Sequence, residues 1–182
     1  MTFNEYKYWN TRLHPTSQDD EYTDTHLKYI SKHILGAERL LDFGPGIGRT
    51  LSAYKGIGYV EGYDVSTRYK KYALKRASEL GLPFIYTINT SGDLTYIPYE
   101  DKWFDVVVAC TVLLHQKPEN IIFVMKELIR ISKKVIVITW MGVTTASYSF
   151  SHDYFEICKE QGWIMSNIKY FKSQIFFCYA GE

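Results

Sequence analysis

The sequence predicts an α/β fold: seven strands, mostly parallel, with helices on both faces and an antiparallel last strand. Three observations carry this. Short apolar runs rich in β-branched and aromatic residues recur along the chain, "VVVAC" and "VIVIT" being the clearest; continuous runs of this kind suit strands buried on both faces. Segments with an apolar period near 3.6 residues lie between them. Near the end, two strand-like runs are separated only by "KSQ". No crossover helix fits in that gap, so the pair must be an antiparallel hairpin.

The elements follow in order. The opening arm, "FNEYKYWNTRLHP", is too short to fold alone and too aromatic for a solvated tail. With the helix expected over Asp20–Leu35, it forms a segment, 1–36, expected to close over a ligand cleft as a lid. The rest, 37–182, reads as one domain with no linker or repeat. A strand is expected at Arg39–Phe43, then a glycine-rich turn and a helix over Ile47–Lys55. The next strand, Tyr59–Asp64, leads to Ser66, a good cap for a helix over 67–81 that stops at Gly81. Strands follow at Pro83–Ile88 and Phe104–Cys110. A helix over 118–132 carries Pro118 in its first turn, where a missing N–H costs nothing. A strand at Val135–Trp140, a helix over 153–162 and the hairpin of 163–171 with Ile175–Tyr179 complete the chain.

Bulk properties narrow the function. A chain of 182 residues is long enough to bury a core in one domain. Its net charge of +1 lacks the basic excess of nucleic-acid binders. No apolar run approaches the roughly 18 residues of a membrane span, and "MTFNEYKYWN" lacks the apolar core of a signal peptide. The expectation is a cytoplasmic monomer or homodimer without nucleic-acid or membrane partners. Cys110, Cys158 and Cys178 are widely spaced, and no histidine pair has ligand spacing, so neither a disulfide framework nor a metal is expected.

The stretch "RLLDFGPGIGRT" (39–50) carries the chemistry. Gly44, Gly46 and Gly48 alternate at the exit of a buried strand, where each costs roughly 0.5–1 kcal/mol relative to alanine in ordered backbone. They suit a sharp turn or the close approach of a ligand at the carboxyl end of a strand. Asp64 ends the next strand, 20 residues after Gly44. A carboxylate there can accept from both hydroxyls of a ribose, although an aspartate capping a turn is the plainer reading. Nicotinamide and S-adenosylmethionine enzymes share this layout. The third glycine comes one residue too early for a dinucleotide loop, Arg49 standing where that glycine belongs. Asp42 would also repel a pyrophosphate and attract an ammonium group.

With "VEGYDVS" and "GDLTYIPYEDKWFDVVVACTVLLH" added, the chain from about 37 to 182 resembles the class I S-adenosylmethionine-dependent methyltransferases of the small methyltransferase-domain type, with their Rossmann-like sheet. The resemblance implies S-adenosylmethionine as cofactor. It implies that Asp42, Phe43, Gly44 and Gly46 flank the methionine part, that Asp64 holds the ribose and that Val65 packs on the adenine. Asp93 would accept from the adenine amino group while the Leu94 N–H donates to a ring nitrogen; Gly92-Asp93 also reads as an ordinary turn. Cys110 and Thr111 would line the methionine side, and Asp105 would be structural. Arg12, in the arm, would meet the cofactor carboxylate.

Methyl transfer needs positioning more than a catalytic group. His115 is the best-placed base, His152 the second, and each also reads as a packing residue. The Asn/Asp-Pro-Pro-aromatic tetrad of DNA amino-methyltransferases and the Pro-Cys of cytosine-5 enzymes are absent after the fourth strand. A small-molecule acceptor remains, with Tyr6, Tyr8, Trp9, Trp140, Tyr148 and Phe150 available to stack on it. The alternatives are a non-catalytic S-adenosylmethionine-binding module and a nicotinamide-dependent oxidoreductase.

Overall fold

The computed structural model describes residues 5–11, 21–142 and 148–181. Hydrogen bonding joins seven strands into one sheet, in the order β3-β2-β1-β4-β5-β7-β6. The strands are β1 (Arg39–Phe43), β2 (Tyr59–Asp64), β3 (Phe84–Ile88), β4 (Phe104–Cys110), β5 (Ser132–Trp140), β6 (Ile164–Phe171) and β7 (Gln174–Ala180). The chain divides into two compact units, Met1–Gly92 and Asp93–Glu182.

In the first unit β1, β2 and β3 are parallel, with Asp42 opposite Gly62 and Asp64 opposite Ile88. Leu40, Leu41, Phe43 and Val60 are buried, as an inner strand's continuous apolar run demands. Helices α1 (Glu5–Thr11), α2 (Glu21–His33) and α3 (Thr67–Glu79) belong here. Ser66 caps α3 as expected, its hydroxyl accepting from the Tyr69 amide at 3.2 Å.

The helix expected over Ile47–Lys55 is not formed. The chain makes turns through Thr50 and then one 3₁₀ turn, Leu51–Tyr54. Its bonds run three residues back, Gly48 to Pro45, Leu51 to Gly48 and Ala53 to Thr50. Gly46 and Gly48 have φ of +54° and +85°, outside the helical region, so an α-helix cannot start there.

In the second unit β4 and β5 are parallel, and β7 runs antiparallel to both β5 and β6. The hairpin and the reversed last strand are therefore as the sequence predicts. Helix α4 (Ile121–Ile131) starts later than expected, after a turn through Pro118–Asn120. It buries the stripe Ile121, Val124, Met125, Leu128 and Ile131. Helix α5 (Tyr154–Glu160) is capped by Asp153, whose carboxylate accepts from the Glu156 amide at 3.0 Å. Cys110, Cys158 and Cys178 are buried and unpaired with one another. Asp105, on β4, forms an ion pair with Lys133 at 2.7 Å. Among the described residues no helix is long and apolar enough to cross a membrane.

Candidate functional site

In the first unit the carboxyl ends of β1 and β2 bring together Asp42, the glycine turn and Asp64. The Asp64 carboxylate is held on both sides. Its Oδ2 accepts from the Gly46 amide at 2.9 Å and its Oδ1 from the Ser66 amide at 2.8 Å. The Val65 amide and the Tyr86 hydroxyl also hydrogen-bond this carboxylate, so four donors orient it. Burial raises the pKa of Asp64, against the lowering effect of the Ser66 and Gly46 amides. The hydroxyl of Tyr86, on β3, donates to the Asp64 carboxylate and lies 3.4 Å from the Ser66 carbonyl and 3.5 Å from the Gly46 carbonyl.

Asp42 sits differently from Asp64. It is buried, and its Oδ2 accepts from Thr50 Oγ1 at 2.7 Å and from the Tyr54 hydroxyl at 2.9 Å. This carboxylate braces the turn from beneath. Burial pushes its pKa from 3.8 up to about 6, the two hydroxyl bonds pulling the other way and the nearby charge of Asp64 adding to the rise.

Sequence reasoning missed four supports of this site. Thr50 and Tyr54 anchor Asp42, and Tyr86 spans both flanks of Asp64. The fourth is Gly62, on β2: a Cβ there would stand 2.6 Å from Phe84 Cζ and 2.8 Å from Pro45 Cγ. Its missing side chain lets the Pro45 ring of the glycine turn lie against the strand. A glycine inside a strand pattern is itself the signal for such an approach.

Helix α1 reaches the same end of β2. Asn10 Nδ2 donates to the Val65 carbonyl at 3.1 Å, and Asn10 Oδ1 accepts from the Thr67 amide at 2.9 Å and the Thr67 hydroxyl at 2.6 Å. Ser66 Oγ donates to the Trp9 carbonyl at 3.2 Å. Val65 is thus reached by the arm. Arg12 and Phe3 lie outside the described residues, as does the side chain of Tyr6.

In the second unit, Asp93 Oδ1 accepts from the Thr95 amide at 2.8 Å and the Thr95 hydroxyl at 2.7 Å. These bonds, the hydroxyl first, hold its pKa below the usual range. Leu94 is buried beside it. At the exit of β4, Thr111 has φ of +55°, a conformation a β-branched residue adopts only under constraint. Its amide donates to the Ile138 carbonyl at 2.7 Å. His115 ends the 3₁₀ turn Leu113–His115, and its Nδ1 lies 2.7 Å from the Tyr148 carbonyl. A carbonyl only accepts, so Nδ1 carries the proton and the neutral ring has its lone pair on Nε2. Burial lowers the pKa of His152, against bonds to the backbone of Gln116 and Leu113, and among the described residues its Nε2 meets no hydrogen-bond partner. Trp140 and Met141, at the carboxyl end of β5, are exposed.

A family model described as "Methyltransferase domain" matches residues 41–136, more than half of the chain. No curated protein matches the chain in sequence. Solved structures resemble it in fold. A protein of Pyrococcus horikoshii OT3 is 16% identical over 97% of this chain and 99% of its own, with a TM-score of 0.74. The magnesium protoporphyrin IX methyltransferase of Synechocystis PCC 6803 with bound SAH is 13% identical, over 97% and 93%, with a TM-score of 0.69. A putative methyltransferase of Bacillus halodurans C-125 is 17% identical, over 80% and 71%, with a TM-score of 0.65.

Proposed function

Because the chain belongs to the methyltransferase-domain family and is a class I S-adenosylmethionine-dependent methyltransferase, we propose that it methylates a small-molecule acceptor, with the cofactor's ribose on Asp64. The observation that carries this reading is the Asp64 carboxylate at the end of β2, fixed between the amides of Gly46 and Ser66 beside the glycine turn. Two adjacent ribose hydroxyls suit such a group. The residues present fit the cofactor in a second respect: Asp42 and Asp64 put negative charge beside the glycine turn, where Gly44 and Gly46 hold the backbone close, and the cofactor's amino-acid ammonium is attracted there. Asp42 and Phe43 act from within the strand, Asp42 by bracing the turn. Val65 packs on the adenine, while Asp93 and the Leu94 amide read its edge. Cys110 and Thr111 line the methionine end.

Bound S-adenosylmethionine supplies a methyl carbon already activated by a sulfonium. The chain's own task is to hold the acceptor's lone pair in line behind that carbon and to exclude water. His115 is suited to take the acceptor's proton, because its Nδ1–H is committed to the Tyr148 carbonyl and Nε2 is its basic nitrogen. Replacing His115 by Ala should then lower kcat and leave cofactor affinity unchanged. The exposed Trp140 and Met141 favour an acceptor with an apolar or planar face. The net charge of +1 favours a small molecule over a nucleic acid, and the cytoplasm is the compartment we assign.

The arm 1–36 serves as the lid over the cofactor, a reading supported by the bonds from Asn10 and Trp9 to residues 65–67. Arg12 remains our choice for the cofactor carboxylate. The test is incubation with methyl-labelled S-adenosylmethionine and a panel of phenols, amines and carboxylic acids. Label in an organic product, matched by S-adenosylhomocysteine release, supports the proposal. Label recovered only in added DNA or RNA contradicts it.

A further inference from the structure

Arg130, on α4, commits all five of its N–H donors. Nε donates to Glu127 Oε1 and Nη2 to Glu127 Oε2, each at 2.8 Å. Nη2 also donates to the Ile97 carbonyl, and Nη1 to the Tyr99 carbonyl and Asp101 Oδ1, all at 2.8 Å. The Tyr96 ring covers the guanidinium at 5.3 Å. Glu127 Oε2 in turn accepts from the Ile97 amide at 2.8 Å. The Ile97 peptide, which belongs to no strand, is thus held at its N–H by Glu127 and at its C=O by Arg130. Ile97 itself is completely buried.

The far end of the same loop is also fixed. The Lys102 amide donates to the Arg130 carbonyl at 2.8 Å, and Lys102 Nζ to the carbonyls of Ile129 and Ser132 at 2.7 and 2.9 Å. Residues 97–102 are therefore stitched to the last turn of α4. Asp93 lies four residues before Ile97 in the same β3–β4 loop; it is exposed, and its carboxylate accepts from the Thr95 amide and hydroxyl.

We propose that the Glu127–Arg130 pair is a positioning device for adenine recognition, fixing the loop that presents Asp93 and Leu94. The proposal rests on the reading that these two residues meet the adenine edge. Arginine is required because a planar fork reaches one carboxylate with two parallel bonds while its remaining donors meet two carbonyls; a lysine has three donors and no fork.

The test compares the affinity of S-adenosylhomocysteine with that of its purine analogue, in which hydrogen replaces the adenine amino group and the ring nitrogens stay acceptors. In the unaltered protein the first should bind on the order of tenfold more tightly, the value of one hydrogen bond to a carboxylate. Arg130→Met should bring the ratio near one in a protein whose circular dichroism is unchanged, and Arg130→Lys should restore part of it. Should Arg130→Met fail to fold, Glu127→Gln, of the same shape, must also shrink the ratio. A general loss of stability would weaken both ligands alike. If Asp93→Ala removes the discrimination and neither Arg130→Met nor Glu127→Gln changes it, the positioning role is overturned. If Asp93→Ala leaves the discrimination intact, the adenine assignment of Asp93 falls, and the role given to Arg130 with it.

Discussion

Asp64 Oδ2 accepts a hydrogen bond from the Gly46 amide at 2.9 Å, tying the end of β2 to the middle of the glycine turn after β1. The turn and the acid are thereby one preorganised unit, and Ser66 completes it from the other side.

Asp64→Ala should weaken S-adenosylhomocysteine binding by about 2–4 kcal/mol, taking bonds to a charged group at roughly 1.5–3 kcal/mol each with incomplete additivity. Calorimetric titration of the variant checks this, with its melting temperature as the control for folding. An unchanged dissociation constant in a folded variant removes Asp64 from the site.

Asp42 gives the site a pH signature. The native group keeps its proton up to about pH 6, whereas the ordinary value is 3.8. Between those limits the native state binds more protons than the unfolded one, so stability falls as pH rises from about 4 to 6 and is level above that. The span corresponds to about 3 kcal/mol. Asp42→Asn lacks this penalty, so its stability relative to the parent should rise by up to that amount between pH 4 and pH 7. Denaturant titrations of both proteins at four pH values measure the difference; a constant difference contradicts the account.

Gly62 and Gly46 should respond differently to alanine. At Gly62 a Cβ meets the Phe84 and Pro45 rings at 2.6 and 2.8 Å, while at Gly46 no atom lies within 4 Å and the cost is the φ of +54° alone. Gly46→Ala should cost about 1–2 kcal/mol. Gly62→Ala should cost more and displace Pro45, lowering cofactor affinity as well. Equal losses in chemical denaturation would show that the packing of Pro45 on β2 is unimportant.

The strands were legible because buried parallel strands are written as continuous apolar runs, and the hairpin because three residues cannot hold a helix. The glycine turn and Asp64 were legible from spacing. The missing helix after β1 was not. The segment 47–55 reads as a helix opened by the glycine turn, but Gly46 and Gly48 take positive φ, and the Asp42 bonds to Thr50 and Tyr54 that brace this turn exist only once the core has formed. Glu127 and Arg130 are visible in the sequence as a helical i, i+3 pair; the carbonyls of Ile97 and Tyr99 that they serve are not, since those partners lie some thirty residues away.

The lid reading predicts that S-adenosylhomocysteine slows tryptic cleavage after Lys7, an exposed residue of α1. Equal cleavage rates with and without bound ligand would assign the arm a purely structural role.

This glycine turn and Asp64 are proposed to serve S-adenosylmethionine and not a dinucleotide. Parallel calorimetric titrations of the unaltered protein with S-adenosylhomocysteine and with NAD test it most directly. S-adenosylhomocysteine should bind saturably and one-to-one, with binding lost in Asp64→Ala, and NAD should give no heat of binding. Saturable binding of NAD, or no binding of S-adenosylhomocysteine by the folded protein, would contradict it.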